Sequence, residues 1–442
     1  MYYFEGKYYR RNNQNIFTSL TSRDAERELR YHGFGNSKAH NEASEIDVAL
    51  RDIQFQNSVQ GAGPLCGRQP GLVSENGFNF LVTRGPQLIE GYGQEAEERA
   101  KPLLDLLKAV FGSNENPHFE EQFLVFFGWL QRARKALMNP GSHLPGQMLL
   151  LVGPAGCGKS YLQSMITKML GNRKADPSLW LQDKTSFNGN LWEAEHLIMS
   201  DSNLDPSGRE KNTMRDKIKE IVANPTYPCH QKGREQMTLR AIWRMSLSAN
   251  DDVVSANILP ALENSTRDKL IYFMCYESDG YFPAEDLRDQ HHQSILNALP
   301  AFLHLVDNFE IPTRMRSERW GVRAWHHPKC VELLQSYNPE QEIEEIFEQY
   351  IKERIHTTTR KRPRELYEEL DIVTGGKLHR CSKSTKHLGH QIARLCERKP
   401  WSSVITKITE REGPNRSERV YYRISPKALT HPEKDDEEQR LL

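Results

Sequence analysis

Residues 153–160 read Gly-Pro-Ala-Gly-Cys-Gly-Lys-Ser. The octapeptide fits the pattern G-x-x-x-x-G-K-[ST], which is typical of loops that bind nucleotide phosphates. Backbone N–H groups of such a loop, together with the N-terminus of the helix that follows, face the phosphates. The lysine reaches the β- and γ-phosphates and the serine hydroxyl holds Mg²⁺. The nucleotide-binding candidates are therefore Gly153, Pro154, Ala155, Gly156, Cys157, Gly158, Lys159, Ser160 and Tyr161.

The segments on both sides of this loop have the patterns that the motif requires. The short apolar run 147–152 predicts a buried strand. Residues 161–170 predict a helix, because Leu162, Met165, Ile166 and Met169 recur at helical spacing. A strand, a glycine-rich turn and a helix in this order indicate an α/β ATPase core.

A second apolar run, 195–201, ends in a carboxylate that we interpret as a metal ligand. Asp201 would hold Mg²⁺ together with Ser160, with a strand-capping Asp as the alternative. Many such ATPases have two adjacent acids at this point, whereas this chain reads Ser200-Asp201-Ser202. Either Asp201 both holds the metal and orients the attacking water, or a nearby carboxylate orients the water. The candidates for that second carboxylate are Glu193, Glu195 and Asp205.

A third predicted strand, 242–249, ends at Asn250, whose amide could orient water and sense the γ-phosphate. The alternative is a turn, which Asn-Asp sequences also favour. Arg267 and Lys269 lie just before a fourth apolar run. Arg267 is a candidate arginine finger for the nucleotide of a neighbouring subunit, and a solvated charge pair is an equally open alternative.

This order of elements resembles superfamily 3 helicases, and residues 1–345 resemble the helicase half of phage and mobile-element, poxvirus-like primase-helicases. Segment 214–240 is similar to an element that forms a hairpin gripping single-stranded DNA in the pore of the ring. Its basic positions are Lys217, Lys219, His230, Lys232 and Arg234. The resemblance implies an AAA+-like P-loop core with ATP and Mg²⁺. It also implies a hexameric DNA helicase that translocates on single strands during replication of a phage or mobile element.

Composition is compatible with this interpretation and excludes other classes of protein. The 442 residues carry 59 Lys and Arg and 59 Asp and Glu, so the net charge does not indicate nucleic acid. No apolar stretch approaches the ~20 residues that span a bilayer. The N-terminus lacks the pattern of a secretory signal. The seven cysteines are scattered without a C-x-x-C pair. We therefore expect a cytoplasmic protein that has no membrane partner.

The C-terminal part predicts a basic winged helix over 346–428. Residues 352–427 contain nineteen Lys and Arg against nine Asp and Glu. Helices are predicted at 364–370 and 385–399, and strands at 403–409 and 419–424. Candidates for duplex DNA binding are Lys386, Arg394 and Arg398 on the second helix and Arg416 and Arg419 on the wing. A partner-binding winged helix or a solvated basic face are the alternatives.

The chain is therefore expected to have a mixed α+β N-terminal domain (1–115), the ATPase core with a helical extension (116–345), the winged helix (346–428) and an acidic, disordered tail (429–442). Two other functions remain open. A non-helicase ring ATPase that acts as a defence or remodelling switch would use the same core. A small-molecule phosphotransferase would share only the phosphate-binding loop.

Overall fold

The computed structural model describes residues 1–37, 43–201, 208–233, 236–240, 242–252, 255, 258–277, 280–336, 339–376, 378, 382, 384–396, 401–412 and 417–425. The chain forms two compact units, Met1–Leu334 and Gln335–Leu442. The expected N-terminal domain and most of the expected ATPase core fall in the first unit, which ends at Leu334 and not at the expected boundary of 345. No helix in the described ranges is long and apolar enough to cross a membrane.

Both units contain strands and helices. The strands are β1 (Tyr2–Phe4), β2 (Lys7–Arg11), β3 (Phe17–Leu20), β4 (Gly61–Gly63), β5 (Gly71–Glu75), β6 (Phe78–Val82), β7 (Met148–Val152), β8 (Lys174–Ala175), β9 (His196–Ser200), β10 (Thr226–Cys229), β11 (Met237–Arg240), β12 (Arg244–Ala249), β13 (Leu270–Met274), β14 (Arg316–Ser317), β15 (Gly321–Val322), β16 (Thr359–Lys361), β17 (Ile405–Glu412) and β18 (Ser417–Ile424). The helices are α1 (Ser22–Tyr31), α2 (Glu45–Gln56), α3 (Ala96–Arg99), α4 (Lys101–Phe111), α5 (Phe119–Met138), α6 (Lys159–Met169), α7 (Ser178–Leu181), α8 (Gly208–Ala223), α9 (Arg288–Asp307), α10 (Pro328–Ser336), α11 (Pro339–Arg354), α12 (Pro363–Val373), α13 (Thr385–Leu395) and α14 (Trp401–Val404).

A five-stranded sheet with the order β13-β7-β12-β9-β8 organises the first unit. Every neighbouring pair in it is parallel. The side chains of β7, β12 and β13 are buried without exception, as expected for strands that are covered on both faces. These findings confirm the mixed α/β class, and they place the predicted strands where the sequence indicated, with slightly shorter bounds.

Helix α5 is the main apolar support of the sheet. Twelve of its residues are buried, including Phe126, Trp129 and Leu130. The Trp129 indole N–H donates to the carbonyl oxygen of Gln147 at 2.8 Å, just before β7. The helix therefore fixes the start of the strand that leads into the 153–160 loop.

A buried polar network joins α6 to two strands of the sheet. His196 is fully buried, and its ring nitrogens contact Thr167 Oγ1 and Ser246 Oγ, each at 2.9 Å. The Gln163 amide donates to the same Ser246 hydroxyl at 2.9 Å. Burial lowers the pKa of His196 to about 3, with a smaller contribution from Lys174. The imidazole is therefore neutral in the folded protein at physiological pH.

This network gives a pH-dependent stability. An unfolded histidine binds a proton below about pH 6.5, whereas folded His196 does so only near pH 3. Its stabilising contribution is thus complete above pH 6.5 and is lost as the pH falls toward 3. We expect His196→Gln to lower the melting temperature at pH 7.5 by several degrees. In thermal unfolding scans the difference from the wild type should be constant above about pH 6.5 and should shrink as the pH falls from there to 5. A constant difference across that range would contradict the assignment.

The second unit is built from helices and a long hairpin. Strands β17 and β18 pair antiparallel from Ile405↔Ile424 to Glu412↔Ser417, and β16 pairs with β18. Its core contains Leu366 and Leu370 of α12 and the predicted apolar face of α13, Leu388, Ile392 and Leu395. The prediction of a strand from 403 was wrong at its start, because Trp401–Val404 forms a helical turn with Trp401 and Val404 buried. The expected acidic tail lies outside the described residues.

Candidate functional site

Three strand ends of the parallel sheet bring the predicted site residues to one edge. Val152 of β7 is level with Ala249 of β12, and Ser248 of β12 is level with Ser200 of β9. The 153–158 loop joins β7 to α6 at this carboxyl edge. The strand order also changes direction beside β7, because β8, β9 and β12 lie on one side of it and β13 on the other. Crevices at such points are where open α/β sheets bind ligands.

The glycines of the loop are required by its conformation and its packing. A Cβ on Gly153 would collide with the carbonyl oxygen of Cys275. Gly158 has φ +93°, and a Cβ there would also lie 2.7 Å from the Phe282 ring. Since left-handed backbone is costly for other residues, the glycines allow the loop to turn tightly into the N-terminus of α6.

Lys159 is a buried cation at the centre of this edge. Its Nζ donates to the carbonyl oxygens of Gly153 and Pro154, both at 2.7 Å, and to Asn250 Oδ1 at 3.3 Å. The residue is 8% exposed, and it forms no ion pair with a carboxylate in the described part of the chain. A buried cation without a counter-charge at a helix N-terminus favours an anion. Ser160 is exposed at the first turn of the same helix.

Asp201 lies next to this cation through Asn250. The backbone N–H of Asn250 donates to Asp201 Oδ2 at 2.9 Å, while its side chain accepts from Lys159. The hydroxyl of Ser255 donates to the same carboxylate oxygen at 3.3 Å. The structure therefore brings Lys159, Asp201 and Asn250 together.

The positions of Glu193, Glu195 and Asp205 decide which of them could orient the attacking water. Glu195 lies at the start of β9, where its side chain accepts from the Gly67 N–H at 2.9 Å and pairs with Arg173, so it cannot reach the site at the other end of the strand. Glu193 is exposed in the 3₁₀ turn Gly189–Glu193, and Asp205 lies outside the described residues. Asp252 was not anticipated. Its Oδ2 accepts from the Ser255 hydroxyl at 3.1 Å, and this hydroxyl also contacts Asp201.

Cys157 is buried within the loop and is in contact with a second thiol. A hydrogen bond from Cys275 lowers the pKa of Cys157, burial opposes this shift, and Lys159 supports it. Burial raises the pKa of Cys275. The Lys159 ammonium lies 3.7 Å from the Cys157 sulfur. The residue thus packs the loop and adds to the interactions of the lysine.

Tyr161 lies beside aromatic residues that follow β13. Its ring meets Phe282 edge to face at a centroid distance of 5.8 Å, and its hydroxyl contacts His292 Nδ1 at 2.8 Å. Burial raises the pKa of Tyr161. This aromatic group anchors the start of α9 to the first turn of α6.

Arg267 is not part of the same edge. It is exposed and lies shortly before Leu270, the first residue of β13, so it belongs to the amino edge of the sheet. Lys269 lies beside it and is paired with Asp268. A contact of Arg267 with a nucleotide would therefore have to be made with the loop of another chain.

The basic segment 214–240 forms a helix followed by a hairpin. Strands β10 and β11 pair antiparallel from Thr226↔Arg240 to Cys229↔Met237, and Lys232 is exposed in the turn between them. The assignment of Lys217 and Lys219 to the hairpin was wrong, because both lie in α8. Lys217 donates to the Trp180 carbonyl at 2.6 Å and pairs with Asp183. Arg234 lies outside the described residues.

The turn of the hairpin is fixed by a neighbouring segment that the sequence analysis missed. The side chain of Asn188 donates to the Pro228 carbonyl at 2.8 Å and accepts from the His230 N–H at 2.7 Å. Its backbone N–H donates to the His230 carbonyl. The Phe187 ring lies 4.9 Å from the His230 ring and is partly exposed. No local motif marks Phe187 and Asn188, since their partners are about forty residues away.

The basic candidates of the second unit are only partly described. Lys386 is exposed on α13, opposite the buried face of that helix. Arg419 lies in β18, where its side chain is exposed. The side chain of Arg394, and Arg398 and Arg416 altogether, lie outside the described part of the chain.

Residues 151–267, roughly a quarter of the chain, match a protein family of unknown function, DUF5906. This match spans the glycine-rich loop together with Asp201, Asn250, Asp252 and Arg267. No curated protein matches the chain.

Among solved structures, the chain is similar to the apo structure of the C-terminal region of NrS-1, residues 305–718. The TM-score is 0.50 at 12% identity, over 95% of this chain and 93% of that one. This similarity shows a shared fold and nothing more specific. An SCCmec type IV Cch active helicase and the JCV helicase are also similar, at 11% identity each. Their TM-scores of 0.31 and 0.26 cover 88% and 58% of this chain and 67% and 71% of those chains, and we draw no argument from them.

Proposed function

We propose that the protein is an ATP-dependent DNA helicase that translocates on single strands. The observation that carries the nucleotide part is the position of Asn250. One residue contacts both the buried cation of the glycine-rich loop, Lys159, and the strand-end carboxylate of Asp201. A cation for phosphate, a carboxylate for metal and an amide between them form the arrangement that ATP hydrolysis needs.

The residues of this edge fit MgATP in their chemistry. The N–H groups of the loop and the start of α6 would face the phosphates, and Lys159 would exchange its carbonyl contacts for phosphate oxygens. Ser160 and Asp201 would hold Mg²⁺, which neutralises phosphate charge when bound. Asn250, with Asp252 as a further carboxylate near Asp201, would orient the attacking water.

The nucleic-acid part rests on the hairpin. Lys232 is an exposed cation at its turn, and the adjacent rings of Phe187 and His230 are aromatic groups on which a base could stack. The bonds from Asn188 hold this turn in a defined shape. A cation and aromatic rings at this hydrogen-bonded hairpin turn suit a single strand of DNA, which is bound through its phosphate backbone and its unpaired bases.

The remaining predictions concern assembly and partners. Arg267 lies at the amino edge, away from its own loop, which supports a finger that acts in trans within a ring, as in the hexamers that the superfamily 3 resemblance implies. The helix pair α12–α13 and the hairpin β17–β18 support a winged helix that binds duplex DNA through Lys386, Arg394 and Arg398. Replication of a phage or mobile element is the proposed setting.

The hairpin assignment predicts a separation of activities. We expect Lys232→Ala combined with Phe187→Ala to abolish unwinding of a forked duplex, because both groups that would hold the strand are removed. Basal ATP hydrolysis should stay within about twofold, since neither residue contacts Lys159 or Asp201. The measurements are gel-based unwinding and ATPase assays with and without oligo-dT.

Lys7→Ala serves as the control, because Lys7 is an exposed lysine of the same unit on β2, remote in sequence from the hairpin. Unwinding at the wild-type rate in the double variant would exclude the hairpin as the DNA grip. ATP hydrolysis that never responds to DNA, with no unwinding by the wild type, would favour the non-helicase ring ATPase.

A further inference from the structure

A cluster of four arginines lies at the amino edge of the parallel sheet, around the loop 139–146 that joins α5 to β7. The arginine cluster consists of Arg68, Arg132, Arg240 and Arg244. Arg68 donates to the Pro140 carbonyl at 3.0 Å, Arg240 donates to the Gly141 carbonyl, and Arg244 donates to the Leu144 carbonyl at 3.0 Å. Three guanidinium groups, one from the loop after β4 and two from the adjacent ends of β11 and β12, thus converge on one short loop.

The cluster leaves an unusual number of donors without acceptors. In the described residues, eight buried side-chain nitrogen and oxygen atoms lack a hydrogen-bond partner, and four of them are the Nε atoms of these arginines. An orphaned buried donor costs about 1–3 kcal/mol, and more when it is charged. Such groups are rare in folded proteins, and each calls for a physical cause. Four of one kind around one short loop mark the cluster as a local excess of guanidinium donors.

The charge balance of the cluster points the same way. Glu75 pairs with Arg68 through Oε1, and its Oε2 accepts from the backbone N–H of Arg240 at 3.0 Å, so both oxygens are already used. Arg132, Arg240 and Arg244 have no carboxylate partner among the described residues. Burial, followed by repulsion from Arg132, lowers the pKa of Arg244 to about 9. Of the four guanidinium groups, only that of Arg68 is balanced by a carboxylate among the described residues, so the cluster favours an anion.

Two half-buried arginines of the cluster determine which kind of anion can bind. Arg132 and Arg240 are half-buried and reach the surface beside the exposed His143, whereas Arg244 is 3% exposed and packs against Gly146. Two guanidinium groups at a surface match phosphate oxygens, which accept from such forks. Arg240 is also the last residue of β11. It pairs with Thr226 at the end of the hairpin opposite the turn that holds Lys232, and β11 itself spans about 10 Å at ~3.3 Å per residue.

We propose that the arginine cluster is a second phosphate-binding surface for the nucleic-acid strand held at the hairpin turn. Arg132 and Arg240 contact phosphodiester groups, while Arg68 and Arg244 hold the 139–146 loop beneath them. This inference rests on the proposed nucleic-acid binding and deepens it, because it assigns contacts at the base of the hairpin, where no sequence motif indicated any.

The test is the salt dependence of oligo-dT binding to the full chain, with Arg132→Gln and Arg240→Gln singly and together. Each phosphate contact on a single strand contributes about −0.7 to the slope of log K against log salt. We expect each substitution to flatten the slope by about that amount, and the double variant to bind at least tenfold more weakly at low salt. Arg314→Gln is the matched control, because Arg314 is 63% exposed and forms only a long, 3.9 Å pair with Glu121.

Arginine footprinting tests the surface without substitutions. We expect oligo-dT to protect Arg132 and Arg240 from phenylglyoxal, and not Arg314, as read by mass spectrometry. This arm remains decisive if the double variant fails to fold. Unchanged slopes and no protection, in a wild type that binds oligo-dT through Lys232, would overturn the inference and leave the proposed function intact.

Three other outcomes also count against it. A wild type that binds no nucleic acid would overturn both the inference and the nucleic-acid part of the proposed function. Protection of these arginines by inorganic phosphate and not by oligo-dT would identify a site for a free anion. A change in sedimentation with an unaltered DNA slope would identify a contact between copies of the chain.

Discussion

Lys159→Ala is expected to reduce ATP hydrolysis by at least about 100-fold. The reason is electrostatic, because Lys159 is the one buried cation that contacts both the loop carbonyls and Asn250 in the described site. Its removal leaves the β- and γ-phosphates without the charge that stabilises the transition state. The measurement is steady-state ATPase activity, together with binding of a fluorescent ATP analogue.

Loss of folding must be separated from this loss of charge. Lys168→Ala provides the control, since it removes a lysine from the last turn of the same helix, α6, away from the loop. Both variants should melt within a few degrees of the wild type. ATP hydrolysis by Lys159→Ala at the wild-type rate would end the assignment of the loop to nucleotide.

Asp201→Asn is expected to have the second large effect. Asparagine keeps an oxygen that can accept from the Asn250 N–H and the Ser255 hydroxyl, so the local structure should persist. It removes the negative charge that would attract Mg²⁺. ATP hydrolysis should fall by orders of magnitude, and the concentration of Mg²⁺ needed for the residual activity should rise. A magnesium titration of ATPase activity measures both changes.

Two further variants show whether the effect of Asp201→Asn is specific to the loss of a metal ligand. Asp105→Asn removes a surface carboxylate of α4 that is paired with Lys108, and its activity should equal that of the wild type. Asp252→Asn separates the two possible tasks, because a residue that only orients water would lower the maximal rate and leave the magnesium requirement unchanged. An Asp201→Asn variant with normal activity at low magnesium would exclude Asp201 as the metal ligand.

Local sequence patterns were sufficient for the framework of the first unit. The apolar runs that became β7, β12 and β13 are buried on both faces, and this is the condition under which a short uninterrupted apolar run indicates a strand. The sequence patterns placed Asp201 and Asn250 each at the end of a strand, and parallel strands end at one edge of a sheet. The structure places the two residues in direct contact.

Features that depend on distant partners could not be predicted in this way. Lys217 was assigned to the hairpin by resemblance, yet Met214 and Ile218 carry the helical spacing that places it in α8, where it packs against Trp180. Asn188 has no local signature, since its role comes from Pro228 and His230. The arginine cluster is assembled from α5, β11, β12 and the loop after β4, and no single stretch of sequence contains it.

The bonds between Asn188 and the hairpin turn have a mechanical consequence. The segment that begins at Asn188 continues as the turn Gly189–Glu193, in which Leu191 and Trp192 are buried, and then enters β9, which ends beside Asp201. Trp192 of that turn packs against Trp243 at a centroid distance of 4.6 Å. Trp243 directly precedes β12, and Asn250 directly follows that strand. A pulling force on the hairpin turn would therefore be transmitted to the same two strands whose ends hold Asp201 and Asn250, the site of the proposed hydrolysis.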